Sequence, residues 1–180
     1  SKGGAFVTSA EIYFAVKDAN IPVRLQLREV VNGYPGSNIL PFSEKILAPN
    51  LVNIASTTAV DSEGNAYPSP VATKFTFDSP VFLNDNTEYC LVVLSDSNNY
   101  RVWISQLGEK SVIDNSIISE QPYAGVLFKS QNASTWTADQ YQDLMFKINR
   151  AVFNTNVIGN IDFVNGEVPN LLLNNNPIQT

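Results

Sequence analysis

Aromatic rings are the side chains of this sequence best suited to binding something. Tyr100, Trp103, Tyr123, Trp136 and Tyr141 fall within one 42-residue stretch of the second half. Rings displayed on a β-protein stack against the faces of sugars, and the same rings pack equally well between sheets. Trp136 lies in a Ser/Thr/Asn segment and Trp103 within a strand pattern. The candidate ligand-binding residues are therefore Trp136, Tyr123 and Trp103.

Covalent chemistry has little to work with. The chain contains no histidine, which removes Ser-His-Asp and Cys-His catalysis and the commonest metal ligand. Cys90 is the only cysteine; it sits among Leu and Val, where a thiol is usually buried and inert. It can form neither an intrachain disulfide nor a structural zinc site. Asp61, Glu63 and Asn65 alternate as the oxygen ligands of a calcium loop would. Their glycine, however, comes at the fourth position (Gly64) and the trailing glutamate is missing, so a solvated loop is expected. Two carboxylates could in principle hydrolyse a glycoside, but the 17 acidic residues fall mostly at turns and nothing in the sequence pairs two of them. No phosphate-cradling loop or dinucleotide fingerprint is present. Asn132-Ala133-Ser134 matches a glycosylation sequon that has meaning only in a secretory pathway. The expectation is a protein that is no enzyme and carries no metal or cofactor.

Composition narrows the partners. Charged residues make 16% of the 180 positions, well below the usual quarter or so, and asparagine fills the gap with 21 residues. Asn tolerates left-handed backbone and accumulates at turns, and a charge-poor surface loses little by desolvation when subunits pack. The net charge is -6, and the 11 Lys and Arg residues are scattered singly. Binding to nucleic acid or to an anionic membrane is disfavoured on that ground. No apolar run is long enough to cross a bilayer as a helix. The chain opens Ser-Lys-Gly-Gly without an initiating methionine, in the manner of a segment cut from something longer.

These side chains must be positioned by strands. Ala10, Ile12, Phe14 and Val16 share one face, opposite Glu11, Tyr13 and Lys17. After Ile21-Pro22, Val23, Leu25 and Leu27 alternate with Arg24, Gln26 and Arg28, which predicts an antiparallel pair joined by a short loop. Asn32-Gly33-Tyr34-Pro35-Gly36 is a turn signal. Residues 56–70 read as loop. Thr73, Phe75 and Phe77 alternate, Asp78-Ser79-Pro80 makes a corner, and Tyr89 to Leu94 is apolar on both faces. Ser95 to Asn99 suit a hairpin loop before Tyr100 to Ser105. Thr137 with Gln140 resembles a capping box and predicts one helical turn. Leu144, Phe146 and Ile148 close the pattern. Such spacing, without amphipathic helices, predicts an all-β antiparallel sandwich of jelly-roll type over residues 1–153. Residues 154–180 hold eight of the asparagines and no Lys or Arg, yet carry too many apolar groups for a mobile tail. They read as an extended C-terminal arm that buries those groups against this domain or a neighbouring chain.

Four segments carry a resemblance: IPVRLQLREVVNGYPG (21–36), ILPFSEKIL (39–47), FTFDSPVFLNDNTEYCLVVLSDSNNYRVWISQLGE (75–109) and SEQPYAGVLFKSQNASTWTADQYQDLMFKINRA (119–151). Together they resemble a domain recurring in virion structural proteins of large contractile-tailed bacteriophages, cyanophages in particular. The resemblance covers roughly residues 4–153 and implies a β-sandwich inside a longer tail or baseplate polypeptide. It implies no catalytic residue. The expected role is a non-enzymatic virion component, made in the host cytoplasm, that packs against other virion subunits in an oligomeric assembly. The alternative is a host-adhesion module binding surface glycan through its aromatics.

Overall fold

The alternating segments become fourteen strands in a computed structural model that describes residues 3–54, 58–60, 63–111, 116–120, 125–154 and 156–163. In chain order these are β1 (Ala5–Val16), β2 (Val23–Val31), β3 (Tyr34–Ile39), β4 (Lys45–Leu47), β5 (Thr58–Val60), β6 (Ala66–Pro68) and β7 (Ala72–Leu83). They continue with β8 (Tyr89–Ser95), β9 (Arg101–Val102), β10 (Ile104–Gln106), β11 (Leu127–Lys129), β12 (Thr137–Asp139), β13 (Gln142–Leu144) and β14 (Phe146–Arg150). One 3-10 turn, Pro49–Leu51, follows β4.

Two antiparallel sheets make the sandwich. In the first, β1 is central, with β7 on one side and β14 and β9 on the other. In the second, β2 is central, with β3 and β4 on one side and β8 along the other. The expected inward stripe of β1 is real: Ala10, Ile12 and Phe14 are fully buried, and they meet Phe75, Phe77 and Val81 of β7 and Val23, Leu25 and Leu27 of β2. Phe14 and Phe75 rings lie 6.4 Å apart, and Tyr100 closes edge-on upon Phe14 at 5.7 Å. Buried hydroxyls are paired. Ser43 Oγ donates to the Leu27 and Leu40 carbonyls, and Thr73 Oγ1 accepts from Asn53 N–H at 2.9 Å.

Asn32 (φ 52°) and Gly33 (φ 79°) form the two-residue turn between β2 and β3, as their dipeptide predicts, because both central positions need left-handed backbone.

Several connections differ from expectation. β1 and β2 do not pair; they lie in opposite sheets, and residues 17–22 cross from one layer to the other. Asp18 builds that corner. Its carboxylate accepts from the N–H groups of Asn20 and Ile21 at 2.8 and 2.9 Å, and from Ser97 Oγ and Asn99 Nδ2 at 2.6 and 2.7 Å. The hydrogen bond from Ser97 is the largest of the influences that hold the carboxyl far below the usual range. A group whose folded pKa is depressed stabilises the fold above its unfolded pKa and loses that contribution as pH falls. Asp18→Asn should therefore melt at lower temperature than the wild type at pH 7. The gap should narrow once pH drops below the ordinary carboxylate range of about 4, as thermal melts at stepped pH will show.

The Ser95–Asn99 loop likewise passes between sheets, because β8 pairs with β2 and β9 with β1; it is not a hairpin. The Asp78-Ser79-Pro80 corner is instead a bulge within continuous β7. Val7 pairs with Val81 and Ser9 with Thr76, so β7 advances five residues while β1 advances two. Residues 58–60 and 66–68 pair as a small hairpin inside the stretch read as loop. Thr137 begins a strand, not a helical turn, because Thr137 to Asp139 pair with Lys129 to Leu127. Lys110 and Ile117 form an isolated antiparallel bridge.

The residues just before the C-terminal arm are tied down. Ala151 N–H donates to the Phe6 carbonyl at 2.8 Å, and Phe153 packs edge-on against Phe6 at 5.3 Å. Residues 156–163 then run without strand or helix, and Ile158 and Phe163 are 95% and 92% exposed.

Candidate functional site: a cleft at the open flank of the sandwich

The second sheet has a polar outer face. Gln26 and Arg28 point away from the core, as alternation with Leu25 and Leu27 requires, yet both are buried. Their cover is the turn before β12. Arg28 Nη1 donates to the carbonyls of Gly36 and Ala133 at 3.2 and 3.3 Å, and its Nε and Nη2 reach Gln26 Oε1 at 3.0 and 2.6 Å. The Gln26 amide Nε2 donates in turn to exposed Glu44. A glutamine thus couples a buried guanidinium to a carboxylate at the surface, which accounts for a cation that has no acid directly beside it among the described residues.

Ala133 (φ 56°) and its neighbours are set by Asn132. The Asn132 Oδ1 accepts from the N–H groups of Ser134 and Thr135 at 3.1 and 2.8 Å, a local turn that competes with regular structure. This turn delivers Trp136 to the wall of a cleft of about 550 Å³. One side is Glu88 with Tyr89 to Val92 of β8; Val30, Gly33 and Pro35 extend it across the second sheet. The facing wall is residues 125–128 with Trp136, and Asp143, Leu144 and Phe146 close one end. The β11–β12 hairpin is fastened to the sandwich by the Tyr34–Phe128 ring contact at 5.6 Å. It is braced by Lys129, whose Nζ lies 2.8 Å from Asp139 and 2.6 Å from Gln142 Oε1.

Of the residues singled out in the sequence, Trp136 lines this cleft, half-buried. Tyr123 lies outside the described residues. Trp103 does not line it. Its backbone is spent between strands, N–H to Tyr13 and carbonyl to Met145, and its indole Nε1 is buried with no hydrogen-bond partner among the described residues. Tyr100 serves the core and donates its hydroxyl to the Ile21 carbonyl at 2.6 Å, while Tyr141 is exposed. The four described aromatics do not form one platform.

Cys90 also lines the cleft, half-buried; burial pushes its thiol up, opposed by the nearby Arg28 charge. Two acids were not foreseen here. Glu88 is exposed, and half-buried Asp143 accepts from the Leu144 N–H at 2.9 Å. Among the described residues no three His, Cys, Asp or Glu side chains gather as a metal site would need, and no helix is long and apolar enough to cross a membrane. Asp61 of the calcium-like pattern lies outside the described residues. The cleft walls are chiefly aliphatic and aromatic, so the arrangement is suited to binding by shape and stacking. The chain matches no known family, no curated protein and no solved structure.

Proposed function

We propose that this chain is a non-enzymatic structural domain of a contractile-tailed phage particle, part of its tail or baseplate, acting through subunit packing. One observation carries the packing reading. The arm leaves the sandwich with Val157, Ile158, Ile161 and Phe163 each at least two-thirds exposed. A run of this kind, combined with a charge-poor surface, is the mark of a segment that another chain covers. The resemblance of residues 4–153 supplies the particle. Mass spectrometry of purified virions from the phage encoding this chain should find the polypeptide at structural-protein abundance. Its absence from intact particles defeats the proposal.

Trp136 favours a second reading, a module that adsorbs to host-surface glycan. A sugar ring stacked on Trp136 would find hydroxyl acceptors in Glu88 and Asp143 at the same cleft. On a glycan array, the wild type should then give a sugar-dependent signal, and Trp136→Ala should weaken it by about tenfold, the equivalent of roughly 1.4 kcal/mol. A flat array ends this reading, and an unchanged Trp136→Ala signal removes Trp136 from it.

A further inference from the structure

We infer that residues 157–163 of the arm dock as an added β-strand along the open edge of β8 in a second copy of this chain, with their apolar side filling the cleft. This deepens the packing reading and rests on it only for the idea that neighbours cover the arm.

The acceptor edge follows from the pairing of β2 with β8. Val30 N–H donates to the Glu88 carbonyl at 3.0 Å, so Val30 and Glu88 are a hydrogen-bonded pair. Antiparallel ladders alternate, so residues 90, 92 and 94 also turn their backbone groups toward β2. The N–H and C=O groups of Tyr89, Leu91 and Val93 therefore face the opposite edge, with which no strand pairs among the described residues. An edge of this kind is a template for one more strand.

The flank beside it is thinly covered. Ile148 of β14 stands directly opposite Ala10 and so shares its inward face, yet it is 43% exposed. Leu91 and Leu144 line the cleft and are only partly buried against the core.

The donor fits in length, pattern and charge. Seven residues in extended form span about 23 Å, and β8 is seven residues long. Val157, Gly159, Ile161 and Phe163 alternate with Ile158, Asn160 and Asp162. One side is wholly non-polar, and the single charge falls on the side that would face water. β8 itself carries no charged residue, and the charged groups among the described cleft residues are exposed Glu88 and half-buried Asp143. Val157, Ile158, Ile161 and Phe163 are exposed on their own domain, so their apolar groups are free to fill the cleft of a neighbour.

Cys90 lines the acceptor cleft and is the only cysteine in the chain, which makes it a built-in probe. The full-length chain carrying Ile158→Cys, Ile161→Cys or Phe163→Cys is oxidised with diamide at pH 8 and run on non-reducing gels, each variant also in a Cys90→Ser background. Docking between copies should give disulfide-linked species of two or more chains from at least one variant, lost in the Cys90→Ser background. Crosslinks within single chains only, or intermolecular ones that survive Cys90→Ser unchanged, overturn the inference. Because the substituted positions are exposed, melting curves should match the wild type. The outcome is also separable from that of the particle reading: a chain found in virions without Cys90-dependent crosslinks keeps its structural role and loses this mode of assembly.

Discussion

Phe14→Ala should cost about 3–5 kcal/mol of stability, the usual penalty for emptying a fully buried aromatic site. Phe14 is 0% exposed; it lies against Phe75 of its own sheet and the Tyr100 ring, and shares one buried cluster with Val23, Leu25 and Leu27 of the second sheet. Truncation forfeits the transfer free energy of the ring and leaves a hole that rigid strands on either side cannot close. For a chain of this size roughly 1 kcal/mol shifts the melting temperature by about 2–4 °C, so a drop of about 10 °C is expected by differential scanning calorimetry. Phe14→Leu, which keeps most of the volume, should recover more than half of it. A loss of under 1 kcal/mol for Phe14→Ala would mean that the two sheets do not pack across this residue.

Arg28→Ala should be nearly as damaging, about 3 kcal/mol, by a different route. Removing the guanidinium takes a donor from the half-buried Gly36 and Ala133 carbonyls and from the buried Gln26 amide oxygen. It also releases the turn that presents Trp136, so the effect should reach the cleft. Urea denaturation followed by tryptophan fluorescence reads both consequences. Glu44→Ala should cost less than 1 kcal/mol because Glu44 is exposed and water can replace it as the acceptor for Gln26. Equal losses for the two substitutions would place the weight on the surface acid instead of the buried cation.

Alternation in the sequence showed which residues face inward, and did so well for Ala10, Ile12 and Phe14. It could not show which strand lies beside which. A face is a property of one segment, whereas a partner depends on where the chain turns. The turn at residues 17–22 is fixed by Ser97 and Asn99, some eighty positions away. Local grammar misled at Thr137 and Gln140 for the same reason: three backbone pairs with Leu127–Lys129 outweigh a capping preference worth about 1 kcal/mol. The cleft was less legible still. Trp136 was noticed as an aromatic among polar residues. Nothing local indicated that Asn132 and Arg28 would fold it over the outer face of the second sheet, or that Glu88 and Asp143 would arrive at the same place.

The pairing of β1 with β14 joins the beginning of this domain to its end, with Ile12 opposite Phe146 and Val7 opposite Arg150. On the ribosome, therefore, the first strand emerges long before one of its lateral neighbours exists. Its oily stripe meets β2 and β7 early, whereas its other backbone edge waits for β14 until some 140 further residues have been synthesised. A chain stopped short of β14 would leave that edge of β1 without its strand partner, a template for pairing with other chains.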